Sequence, residues 1–145
     1  MYFNNQDQTE VLMKILNVEG IGPKYTKTLQ NVGIRTTEKL LKEGASKKGR
    51  IALASKTGIS EKLILEWVNL SDLARIKGIG EEYSDLLEEA GVDSVKELRN
   101  RRADNLHKSI LATNDKKKLV RRPPSLGMVE NWIGQAKKLK PVVTH

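Results

Sequence analysis

The sequence predicts an all-α protein built from two tandem copies of one helical unit around a shared compact core. Three observations predict it. No segment shows the sustained alternation of polar and apolar residues that marks a half-buried strand. Apolar residues recur instead at helical spacing, as in Leu63, Ile64, Trp67 and Val68. The chain also repeats itself at an offset of 58, where Gly20, Ile21, Gly22, Tyr25, Leu29, Gly33, Leu40 and Ala45 meet identical residues at Gly78, Ile79, Gly80, Tyr83, Leu87, Gly91, Leu98 and Ala103.

The elements follow in order. Residues 1–8 are polar and read as a flexible lead-in. From Thr9, a plausible cap, the residues Val11, Leu12, Ile15 and Leu16 predict a first helix. Gly20 and Gly22 end it and permit a tight turn. Pro23 opens the next helix, where its missing N–H costs nothing. Tyr25, Leu29 and Val32 form one face of that helix, and Gly33 stops it. Thr36 begins another, with Leu40 and Leu41 inward. Residues 44–49 read as a loop, residues 51–56 as a short helix stopped by Gly58, and Ser60 as the cap of a longer one. The second copy then begins, with Ser94 and Glu97 spaced as a capping box. Past Ala103 the offset becomes 65, because Ser60, Trp67 and Val68 match Ser125, Trp132 and Ile133. The second copy therefore holds seven extra residues near 114–124. A last helix, 125–138, buries Val129, Trp132, Ile133 and Ala136 and ends before Pro141. The domain reading is a first repeat over 9–70 and a second over 71–145, with the two tryptophans as paired core anchors.

Composition narrows the function. The 145 residues contain no Cys, which removes disulfides, thiol catalysis and Cys-ligated zinc. No N-terminal apolar stretch resembles a signal peptide and no run approaches membrane-spanning length, so the expectation is a cytoplasmic protein. The net charge of +8 and pI near 9.7 favour a polyanionic partner. That charge is polarised. Residues 76–98 set two lysines against seven carboxylates, a net of −5, whereas residues 99–145 set twelve Lys or Arg against three, a net of +9.

Two stretches carry the resemblance. Val18-Glu19-Gly20-Ile21-Gly22-Pro23-Lys24-Tyr25 and Ile76-Lys77-Gly78-Ile79-Gly80-Glu81-Glu82-Tyr83 resemble the helix-hairpin-helix motif of DNA repair and recombination proteins. The following Gly33-Ile34-Arg35-Thr36-Thr37-Glu38-Lys39-Leu40-Leu41 and its echo from Gly91 to Leu98 also look like the C-terminal domain of the bacterial RNA polymerase alpha subunit. Both have sterile-alpha-motif-like folds. From about residue 9 to Thr144, the chain resembles a family of small paired-hairpin proteins catalogued as a domain of unknown function. The resemblance implies a hairpin whose backbone amides grip a nucleic-acid phosphate without reading bases. Consecutive amides at the positive end of a helix make an anion site, and glycine lets the ligand approach.

On this sequence the contact falls on Gly20, Ile21, Gly22 and Lys24, with Lys27 one turn further on, and Tyr25 is a core contact. Glu81 and Glu82 replace Pro23 and Lys24 in the second copy, which suits the helix dipole but repels phosphate. Further backbone contacts are available from Lys47, Lys48 and Arg50 and from Lys116, Lys117, Lys118, Arg121 and Arg122. Residues 44–50 superficially resemble a P-loop but lack its Lys-Ser/Thr ending and a preceding strand, so nucleotide hydrolysis is rejected. His107 reads as an exposed helix residue and the acids at 81–89 as a solvated face, so neither a catalytic nor a metal site is expected, nor a cofactor. The expectation is a non-enzymatic protein binding nucleic acid, DNA before RNA, non-specifically through phosphates, and nucleoid-associated if the partner is DNA. The alternative is a protein-interaction or scaffold module, or a self-associating one, working through the acidic second hairpin.

Overall fold

The computed structural model describes residue 18 and residues 20–145. The expected lead-in and the helix from Thr9 lie outside the described residues. Eight helices and no strand occur among the described residues: α1 Gly22–Asn31, α2 Thr37–Gly44, α3 Lys47–Thr57, α4 Glu61–Leu73, α5 Gly80–Glu89, α6 Val95–Arg99, α7 Ala103–Lys117 and α8 Leu126–Lys138. None is long and apolar enough to cross a membrane.

Hydroxyl caps begin most of the helices. Thr36, Ser46, Ser60, Ser94 and Ser125 each accept a hydrogen bond from the N–H three residues on, at 3.0–3.2 Å, satisfying an amide that the helix leaves open. Only half of the expected box at Ser94 forms, because the Glu97 carboxylate reaches forward to Arg101 at 3.3 Å. Ser46 corrects another expectation. It starts α3 at Lys47, so Gly49 and Arg50 are helical and the loop shrinks to Ala45 and Ser46.

Three backbone hydrogen bonds recur at equivalent places in the two copies. Ile21 N–H donates to Val18 O at 3.2 Å, and Ile79 N–H donates to Ile76 O at 3.3 Å. At the far end of α1, Gly33 N–H reaches Gln30 O and Ile34 N–H reaches Leu29 O, both at 2.9 Å. After α5, Gly91 N–H reaches Glu88 O at 3.0 Å and Val92 N–H reaches Leu87 O at 2.8 Å. α2 packs on α4 as α6 packs on α8.

Buried side chains form two clusters, one per half, instead of the single shared core expected. The first gathers Leu29, Ile34, Leu40, Ile64 and Trp67, and the second Leu87, Val92, Leu98, Val129 and Trp132. α4 links them, with Leu70 in the first cluster and Leu73 in the second. Just inside its end, the fully buried Asp72 carboxylate accepts from Arg75 Nη1 at 2.8 Å and from Val95 N–H at 2.7 Å. It thereby fixes where α6 begins.

The tail crosses back to the first half. Val143 is buried in the first cluster, and Thr144 N–H donates to Ala45 O at 2.8 Å. Arg75 Nη2 holds Lys140 O at 2.9 Å on the way. The two halves are thus joined by α4 and clasped again by the tail.

Candidate nucleic-acid interface

Helices α1 and α5 differ from the hydroxyl-capped ones: each begins at a Gly-Ile-Gly turn and has no side-chain cap. The turn needs glycine on both sides of the isoleucine, because φ is +87° at Gly20 and +69° at Gly22, and +96° at Gly78 and +61° at Gly80. Ile21 and Ile79 are buried beneath the turns and act as their anchors. Ile21 also spends its N–H on Val18 O, so neither its side chain nor its amide faces outward as a contact. Under each first glycine lies an indole edge. A β-carbon at Gly20 would stand 3.8 Å from Trp67 Nε1, and one at Gly78 would stand 3.4 Å from Trp132 Nε1. Trp67 Nε1 is buried and has no hydrogen-bond partner among the described residues.

On α1, Lys24 and Lys27 are exposed, and no ion pair engages them among the described residues. Tyr25 is half-buried against Trp67, in the core position expected of it. The first turn therefore presents glycine backbone, a helix start without a side-chain cap, and two exposed ammonium groups on one helix, unpaired among the described residues.

The remaining basic residues separate into different roles. Lys47 and Lys48 are exposed on the first turn of α3. Arg50, offered by the sequence as a third contact there, is buried at 4% exposure. Its guanidinium donates to Gly44 O at 2.9 Å, Ala45 O at 3.0 Å and Thr144 O at 2.7 Å. Burial lowers its pKa and the Glu61 carboxylate opposes that shift. Arg50 is a clasp between α2 and the tail. Lys116 and Lys117 belong to the last turn of α7 and Lys118 to its left-handed cap, at φ +52°. Lys117 pairs with Glu89, and Lys118 lies 3.8 Å from Asp115.

Residues 118–125, between α7 and α8, fold back onto the second turn. Buried Asn114 grips Val120 through both of its backbone groups, donating to its O at 3.1 Å and accepting from its N–H at 2.9 Å. Tyr83 O–H donates to Arg122 O at 2.8 Å. His107, expected to be exposed, is half-buried with Nε2 3.0 Å from Pro124 O. The exposed side chains of Arg121 and Arg122 line a cleft of about 590 Å³ together with Gly78, Ile79 and Gly80. Sequence reasoning placed these arginines in a basic insertion but not beside the second turn. The signal available was the length of the insertion, which suffices to reach back across α5.

The acidic face of α5 is tightly grouped. Asp85, Glu88 and Glu89 bring carboxylate oxygens within 4.8 Å of one another. Glu88 is pushed up to about 7, first by burial and then by Glu66 of α4 and the neighbouring Asp85, Glu89 and Asp93.

The model of the family described as domain of unknown function (DUF4332) matches residues 19–139, and the chain belongs to that family. No curated protein and no solved structure gives a significant match.

Proposed function

We propose that this member of the family is a tandem of two helix-hairpin-helix units that binds nucleic acid, DNA before RNA, through backbone phosphates. The observation that carries the reading is the first turn: Gly20 and Gly22 at positive φ lead into a helix without a side-chain cap, followed at once by exposed Lys24 and Lys27, unpaired among the described residues. Open amides at a helix start, with the helix dipole behind them, favour an anion, and ammonium groups one turn along extend the attraction. Lys47 and Lys48 add charge on the same half. The reading has no catalytic step and no cofactor, and it places the protein in the cytoplasm with the nucleoid.

The competing reading, a scaffold or self-associating module built on the acidic second half, is less favoured. Lys117 pairs with Glu89 within the chain, so part of the opposite charge on α5 and the insertion is already spent internally. Fluorescence anisotropy with a labelled duplex at low salt tests the proposal. The wild type binds and Lys24→Glu/Lys27→Glu loses at least tenfold in affinity, with circular dichroism confirming its fold. Equal binding by the two proteins would remove the first turn from the interface.

A further inference from the structure

The cleft at the second turn has a composition that its own helix does not predict. Glu82 opens α5 where Lys24 opens α1, so the local sequence there is acidic. The cations come from elsewhere in the chain. Arg121 and Arg122 line the cleft opposite residues 78–80, and neither guanidinium has an ion pair or hydrogen bond among the described residues. Their backbone is held at alternate positions: Val120 by Asn114, Arg122 by Tyr83 and Pro124 by His107. A loop anchored in this way loses little freedom on binding, which is the cost that normally erodes the contribution of arginines on an exposed loop.

We propose that this cleft is a second anion site, which takes one phosphate of a nucleic-acid backbone between the two guanidinium groups and the glycine backbone of residues 78–80. It rests on the phosphate-binding reading of the chain. The chemistry fits, because a guanidinium presents a planar fork of donors that matches phosphate oxygens. Gly78 and Gly80 contribute only backbone to the lining. Among the described lining residues, two arginines stand against the one carboxylate of Glu82, so the described lining is cationic. The seven extra residues of the second copy thus restore the positive charge that its hairpin helix has lost.

The test compares the intact protein with Arg121→Ala/Arg122→Ala, with Glu82→Gln and with Lys24→Glu/Lys27→Glu in duplex anisotropy across a salt series. The arginine variant is expected to lose about tenfold in affinity at low salt, and its slope of log K against log salt flattens by about 0.9, as for the one phosphate no longer neutralised. Glu82→Gln, which keeps every cation, is expected to bind several-fold tighter. Wild-type affinity and slope in the arginine variant, with weakening in the lysine variant, would overturn the cleft and leave the first turn standing. The converse pattern would keep the cleft and remove the first turn. An amide-resolved titration with inorganic phosphate separates the two sources of phosphate. Shifts at residues 78–80, 121 and 122 with phosphate, but a duplex affinity indifferent to the arginines, would overturn the assignment to a nucleic-acid backbone. No change of affinity in Glu82→Gln would also count against the cleft, whether or not the arginine variant folds.

Discussion

The ring of Tyr25 leans on Trp67 with centroids 5.1 Å apart and planes inclined at 56°. Tyr83 and Trp132 repeat the arrangement at 5.3 Å and 50°. Each tyrosine sits three residues beyond the second glycine of a turn, and each indole edge lies under the first glycine. The pair therefore couples the helix after the turn to the long helix that closes its half. Tyr25→Leu keeps apolar bulk but removes the tilted ring contact, and is expected to cost about 1 kcal/mol. Urea denaturation followed at the tryptophans measures it, and an unchanged midpoint would show that the ring pair adds nothing beyond burial.

Arg50 gives a sharper prediction because its charge is enclosed. Arg50→Met removes donors from three carbonyls, and is expected to destabilise by about 2–4 kcal/mol. Its duplex affinity is expected to equal that of the wild type at temperatures where the variant is folded. A stable variant with weakened binding would return Arg50 to the interface.

The acidic ridge makes stability depend on pH. The folded pKa of Glu88, about 7, lies above its ordinary value of 4.5, so its protonated form is the one the fold favours. The penalty is absent below about 4.5, grows as pH rises from there to about 7 and is complete above it. Glu88→Gln is accordingly expected to raise the melting temperature at pH 8 and to flatten its decline across that interval. Equal melting temperatures for the two proteins at pH 8 would contradict the account.

Most of the helical order was legible in the sequence, because it rests on short-range signals. Hydroxyl caps three residues before an amide, glycines at turn ends and 3.6-residue spacing name α1, α2, α4 and α8 nearly to the residue. The misreading at 44–50 has a local cause. Two glycines and three cations look like a loop, yet Ser46 caps α3 directly and Arg50 finds carbonyls to occupy it. Long-range contacts were not legible. Nothing near Arg50 names Thr144, since that meeting depends on how the halves close, and nothing near Gly78 names Arg122, since that one depends on how the insertion folds back across α5. The first turn was readable as a candidate site because glycines and lysines are adjacent there. The second was not, because its cations arrive from about 40 residues away along the chain.

The central claim is that the chain holds nucleic acid by its phosphates and not by its bases. The most direct measurement is the salt dependence of affinity for two duplexes of equal length and unrelated sequence. The account predicts nearly equal affinities at every salt concentration and a steep linear fall of log K with log salt, of slope about −0.9 for each phosphate engaged. Affinities that differ between the sequences, a slope near zero, or no binding at low salt would contradict it.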